Sequence, residues 1–272
     1  MSNGSPQPHT GHRGPHAILS GVGSSFMIII RIGTCLLDTE CSINYNEDMR
    51  KTVIVPNEYY HILNRGNNKQ LIFLDERDCV RFLFLLLYFQ SNTSLYNLGR
   101  FVTHYVRHSV FNITEEVLKD VIRNRTVELV NFTLMSNHFH ITVKEIKENG
   151  IANYMQRVLN AYTKYFNTKY KKSGHLFQGP YKAVHVSNNR QLLHLSAYIH
   201  RNPREIPQWK NREHTYPWSS YQDYVRENRW GKLLEQDIIL SQFLNKKEYD
   251  DFVRSSTAKE LKDNLDDSCF ID

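Results

Sequence analysis

The clearest alternation of apolar and polar positions in the chain lies at residues 131–145, NFTLMSNHFHITVKE. Phe132 to Met135 reads as a strand and Ser136 with Asn137 as a tight polar turn. The β-branched run Ile141, Thr142, Val143 reads as a second strand, entered through His138, Phe139 and His140. Successive side chains of an extended chain point to opposite faces, so His138 and His140 project on one side and Phe139 on the other. By the same criteria Tyr59 to Leu63 is the first strand, followed by a loop from Asn64 to Asn68 whose Gly and Asn residues tolerate positive φ. Asp75 opens a helix running to about Gln90, with Val80, Phe82, Leu83, Leu85 and Leu86 dense enough to be buried. A second helix, 151–170, carries Tyr154, Tyr162, Tyr165, Phe166 and Tyr170, aromatic residues whose helical spacing marks a core face. Loop 171–180 feeds a short strand, 181–186, and Asn188 caps a third helix from about Arg190 to Asn202, which Pro203 closes.

Around this body the pattern weakens. Residues 1–48 are rich in Gly, Ser, His and Pro and sustain no period, so they are expected to be a disordered extension, with Met49 as the natural start of the domain. Residues 91–126 carry turn formers, tyrosines and a short helix from Thr114 to Ile122, and are expected to form an insertion in a domain spanning 49–206. Residues 207–272 are expected to form a peripheral, partly helical C-terminal extension anchored by Trp218 and Tyr221, its last part disordered.

A chain of 272 residues, 40% of them hydrophobic, is long enough to bury a sizeable core. Its net charge of +6 is uneven: residues 246–272 carry eight acidic and five basic side chains, leaving +9 on the rest. A basic body with 16 Tyr and 14 Phe is compatible with nucleic acid, where Lys and Arg meet phosphate and aromatic rings stack on unpaired bases. Charge alone leaves a merely solvated basic surface equally open. Cys35, Cys41, Cys79 and Cys269 show no CxxC spacing, which points to reduced thiols in a cytoplasmic setting. No stretch approaches the roughly 18 uninterrupted apolar residues of a membrane span, and the N-terminus lacks a signal-peptide pattern. The chain is therefore expected to remain in the cytoplasm, with no membrane partner.

The candidate chemistry rests on two local patterns. Two neutral imidazoles side by side on one strand face suit a divalent cation but fill only part of its shell, so a third ligand has to come from elsewhere in the fold. The bland alternative is a pair of hydrogen-bonded histidines on a sheet. On the helix near 190–202, Tyr198 and Asn202 stand four residues apart, so a phenol and a carboxamide share one face.

Taken in order, YHILNRGN, MSNHFHIT, YTKYFN, GHLFQGPYKA, LSAYIHRNP and PWSSY resemble the single-tyrosine HUH transposases, and within them the REP-associated tyrosine transposase-like group, over about Met49 to Tyr224. The resemblance implies an α+β, ferredoxin-like fold: an antiparallel sheet flanked by helices, with the two histidines on a central strand. It implies His138, His140 and Asn202 as ligands of Mg²⁺ or Mn²⁺, and Tyr198 as a nucleophile forming a 5′-phosphotyrosine; Tyr162 and Tyr165 are lower-ranked competitors. The partner implied is single-stranded DNA, hairpin- or repeat-containing, cut and rejoined by a monomer or homodimer. Arg65, Asn67, Lys164, Lys169, Lys171, Lys172 and Lys182 are the candidate DNA contacts. The chain departs from the family in having Pro180 where Arg is common, and in the length of 91–126. A catalytically silent hairpin-binding protein of the same fold is the second reading. A metal-dependent hydrolase is the third, disfavoured because no carboxylate stands at position 202.

Overall fold

The computed structural model describes residues 52–94 and 96–257. The expectations for residues 1–48, for Met49 as a start and for the chain beyond 257 lie outside the described residues.

Four strands form one sheet: β1 (Tyr59–Arg65), β2 (Val127–Met135), β3 (His138–Glu145) and β4 (Lys182–Val186), in the order β2-β3-β1-β4 with every neighbouring pair antiparallel. With α1 (Glu76–Tyr88) between β1 and β2 and α4 (Gly150–Tyr170) between β3 and β4, the chain follows the β-α-β-β-α-β path of a ferredoxin-like fold, as expected. The local signals behind these elements are ordinary ones. Asp75 caps α1 by accepting a hydrogen bond from the Asp78 N–H at 3.0 Å. Ser136 and Asn137 make the two-residue turn, and their carbonyls accept from Ile72 and Gly66, which ties the β1–α1 loop to the tip of the hairpin. Gly66 is needed for close approach: a Cβ there would lie 2.1 Å from the Gln70 carbonyl oxygen. Positive φ falls instead on Asn68 and Lys69.

The odd and even positions of the strands face different layers. Phe139, Ile141 and Val143 look toward α1 and α4, where Phe82 packs on Phe139 and on Tyr162 with ring centroids 4.9 Å apart. The other face is covered by α5 (Asn189–Arg201), capped by Asn188 through the Gln191 N–H. Within 91–126 the structure has α3 (Glu115–Asn124), started by Thr114 as expected, and also α2 (Leu98–His108), which was not foreseen. Leu98, Val102 and Tyr105 of α2 are buried and Phe101 and Val106 pack against the same core, an i, i+3, i+4, i+7, i+8 stripe that was legible in the sequence, although Asn97 before it makes no side-chain cap.

The segment after 206 is not a peripheral appendage. Ser219 bridges to Thr133 beside the edge strand β2, and the Leu134 N–H donates to the Trp218 carbonyl at 2.9 Å, so this segment covers an exposed edge. Helices α6 (Tyr221–Val225), α7 (Asp237–Leu240) and α8 (Lys246–Ser255) follow; Tyr221, Trp230, Leu233, Ile239, Tyr249 and Val253 are all buried in the common core. Tyr221 is an anchor in this sense, while Trp218 is half-buried.

Candidate active site

Strand register decides which side chains share the face under α5. His138 lies opposite Arg65 on β1 and Met135 on β2; His140 lies opposite Leu63 and Thr133. Directly opposed residues of antiparallel strands point the same way, so His61, two positions from Leu63, joins His138 and His140 on that face. Lys182, opposite Leu63 on β4, does so as well.

Helix α5 is held across this face by its last turn. The Thr133 hydroxyl donates to the Ile199 carbonyl at 2.7 Å, joining the Asn202 N–H that donates to the same oxygen at the end of the helix. That contact sets Tyr198 over the histidines. Its ring meets the edge of His140 at a centroid distance of 5.6 Å and of His61 at 6.3 Å. Asn202, at the end of the same helix face, is 1% exposed, and its Nδ2 is buried without a hydrogen-bond partner.

The imidazoles are oriented by their neighbours. His138 Nδ1 stands 2.7 Å from Asn137 Oδ1, and His140 Nδ1 stands 2.9 Å from His61 Nε2. An amide oxygen can only accept, so His138 carries its proton on Nδ1 when neutral, and Nε2 bears the lone pair. The same tautomer of His140 follows when His61 Nε2 accepts. This is the arrangement in which a histidine ligates through Nε2 while its other nitrogen is held by an outer partner. The carboxamide of Asn202 adds a buried polar group one turn from the phenol, and half a turn about χ2 exchanges its oxygen and nitrogen. Two imidazoles with an amide oxygen suit a divalent cation, so the residues present fit the metal that the sequence pattern implies. Among the described residues no three His, Cys, Asp or Glu side chains converge as a ligand set.

Two expectations change here. The face bearing the histidines is covered, not exposed: Tyr198 and His61 are fully buried, His140 is 1% exposed, and only His138 is half-buried. The cover is α5 itself, which lies on this face through Tyr198 and the Thr133–Ile199 contact, while α8 and the turn at 217–220 close over its other side. Also, His61 was not singled out in the sequence, because a lone histidine in an apolar strand carries no signal until register brings it beside His140.

The competing tyrosines lie in the opposite layer. Tyr162 is fully buried among Phe73, Phe82 and Phe177, and donates to the Ile72 carbonyl at 2.5 Å; burial pushes its pKa far up. Tyr165 donates to Asp78 at 2.9 Å, and burial together with that carboxylate's charge pushes its pKa up to about 12. Lys169 is committed to Asp75 and Asp78 at 2.6 and 2.7 Å. Burial opposes its charge, but those two carboxylates outweigh it and hold the ammonium above the ordinary lysine range. Its charge is thus neutralised inside the fold. Of the other basic candidates, Lys164, Lys171 and Lys172 are exposed on or just after α4, and Arg65 is half-buried beside Gln178. Asn67 is exposed in the loop after β1, and Pro180 is exposed just before β4.

Among known proteins, the family model described as "Transposase IS200 like" matches residues 101–202, a span that holds His138, His140, Tyr198 and Asn202 and most of α2. No curated protein matches the chain in sequence. Among solved structures, one described as a REP-associated tyrosine transposase bound to a REP hairpin is similar at 11% identity with a TM-score of 0.45, covering 69% of this chain and 91% of that one.

Proposed function

We propose that this chain, whose residues 101–202 match the family model described as "Transposase IS200 like", is a metal-dependent enzyme of that family that nicks and rejoins single-stranded DNA through Tyr198. The observation that supports this reading is the Tyr198 ring set against His140 with centroids 5.6 Å apart, with Asn202 one turn further along the same helix.

In this reading His138, His140 and Asn202 hold Mg²⁺ or Mn²⁺, which when bound polarises the scissile phosphate and stabilises the charge that develops on it. Asn137 would keep His138 in the Nδ1–H tautomer, and His61, accepting through Nε2, would do the same for His140. Tyr198 Oη attacks phosphorus; the new P–O bond joins the tyrosine to the 5′ side, the bond to the 3′ oxygen breaks, and the phenolic proton ends on the departing 3′-hydroxyl. Because the phosphotyrosine keeps the energy of the phosphodiester, a second 3′-hydroxyl reverses the step and joins strands. The phenol is buried in the structure, so substrate entry has to open the ground between His138 and the end of α5. Arg65 and Lys182, on the same sheet face as the histidines, are placed to meet the strand's phosphates.

The test is direct. Wild-type protein incubated with end-labelled single-stranded DNA and Mg²⁺ is expected to give a covalent protein–DNA adduct. Tyr198→Phe should bind the DNA but give none. An adduct that survives in Tyr198→Phe would move the nucleophile elsewhere. DNA binding without any adduct in the wild type would favour the silent hairpin-binding reading.

A further inference from the structure

A cleft of about 600 Å³ opens between the first turn of α1 and α2, apart from the site described above. Arg77 stands on its α1 side; Arg100, Thr103, His104, Arg107 and His108 stand on its α2 side. Positions 100, 103, 104 and 107 follow the spacing of a single helix face, so α2 turns a basic stripe to the cleft while Leu98, Val102 and Tyr105 face the core. Helix α2 contains no Asp or Glu, and among the described residues no carboxylate lines the cleft. In the first turn of α1, Asp75 and Asp78 are engaged by Lys169, and Glu76, beside Arg77, is the remaining acid; it does not line the cleft.

The cleft is also organised. Arg77 Nη2 donates to Thr103 Oγ1 at 2.9 Å, and that hydroxyl donates to the Gly99 carbonyl at 2.9 Å, which draws Arg77 across to the α2 wall. The rings of His104 and His108 lie 4.7 Å apart, and His104 Nδ1 is buried without a hydrogen-bond partner. Three guanidinium groups gathered in a cleft that no carboxylate lines suit an anion, and the planar fork of Arg suits phosphate oxygens. From Arg100 to Arg107 the stripe runs about 10 Å along the helix, longer than one phosphate and suited to successive phosphates of a strand.

Its position supplies the connection to the active site. The loop leading into α1 donates from the Ile72 and Phe73 N–H groups to the Ser136 carbonyl in the β2–β3 turn. The first turn of α1, with Arg77, therefore lies at the same end of the sheet as His138 and Arg65. We propose that this cleft is a second DNA site, gripping the sugar-phosphate backbone of the same substrate strand on the far side of the β2–β3 turn. The proposal rests on the strand-cutting reading for the identity of its ligand.

The experiment compares wild type with Arg100→Glu/Arg107→Glu and with the milder Arg100→Gln/Arg107→Gln, which removes charge from an exposed helix face without introducing repulsion. Two DNA probes are used: a short oligonucleotide covering only the cleavage point, and a long strand carrying a hairpin beside it. Both variants are expected to bind the long strand at least tenfold more weakly, with the log–log salt slope reduced by about two, and to form the Tyr198 adduct on the short oligonucleotide as wild type does. Long-strand affinity and salt slope unchanged in both variants would overturn the proposal. So would protection of the cleft by inorganic phosphate alone, with no effect of either variant on long-strand binding. If wild type forms no adduct yet loses long-strand affinity in both variants, the cleft stands and the catalytic reading falls.

Discussion

An imidazole on β1 does for His140 what Asn137 does for His138. When His61 Nε2, at 2.9 Å, accepts, the proton of His140 is kept on Nδ1 and the ring is held against rotation. Outer partners of metal-bound histidines are commonly worth a factor of about 10–100 in metal affinity. His61→Phe keeps ring bulk and loses the acceptor, so the Mg²⁺ or Mn²⁺ concentration for half-maximal adduct formation should rise by about that factor. His61→Gln, which restores an acceptor, should recover part of it. A metal titration in which the Phe variant matches wild type would end the orienting role. Because His140 is buried, removing it is expected to cost stability as well as cleavage. His140→Ala leaves His61 without this partner, and an unsatisfied buried polar group costs about 1–3 kcal/mol, which a urea melt would register alongside lost cleavage.

Helix α5 has two working faces. Tyr198 and Asn202 look to the sheet; Ser196 and His200, rotated away from them, look to α8. His200 Nε2 meets the Ser220 hydroxyl at 2.8 Å, and Tyr249 meets both His200 Nδ1, at 2.6 Å, and Ser196. A serine, a histidine and a tyrosine in such a row resemble a nucleophile and its base, but all three are buried and packed among Tyr221 and Tyr224. Their role is to bind α8 to α5. Burial lowers the pKa of His200 to about 3, while in the unfolded chain it titrates near 6.5. Between those values the unfolded state binds the extra proton, so the His200 contribution to stability is complete above about pH 6.5 and is lost as pH falls toward 3. The slope is about 1.4 kcal/mol per pH unit. Urea unfolding between pH 7.5 and 4 should therefore be less pH-dependent in His200→Gln than in wild type. Equal slopes would assign the acid sensitivity to other groups.

At the scale of the molecule, the layers run α1 and α4, sheet, α5, then the helices after 206. The family match ends at residue 202, yet Trp230, Leu233, Ile239, Tyr249 and Val253 are each at most 2% exposed and belong to the common core. At about 1.5–3 kcal/mol per buried large apolar side chain, losing these five exceeds much or all of a typical net stability of about 5–15 kcal/mol. A fragment ending at residue 206 is expected to lose cooperative thermal unfolding, whereas one ending at residue 257 should melt as a single transition. A cooperative melt of the shorter fragment would restore the picture of a self-sufficient domain with an appendage. Among the described residues no helix is long and apolar enough to cross a membrane.

Local pattern was enough for much of this. Alternation at 131–145 determined that His138 and His140 share a face, and helical spacing determined that Tyr198 and Asn202 do. Cap residues Asp75, Thr114 and Asn188 marked where helices begin. These are properties of a residue relative to its own element, and a short stretch of chain contains all that decides them. What each face meets was decided only in three dimensions. His61 entered the site through the β1–β3 register, Tyr162 and Tyr165 left it because α4 covers the opposite face, and Lys169 was neutralised by carboxylates more than 90 positions away. The burial of His140 and Tyr198 needed α5 packed across the sheet. Register and layer order depend on pairings between distant segments, where no periodicity in either segment records the partner.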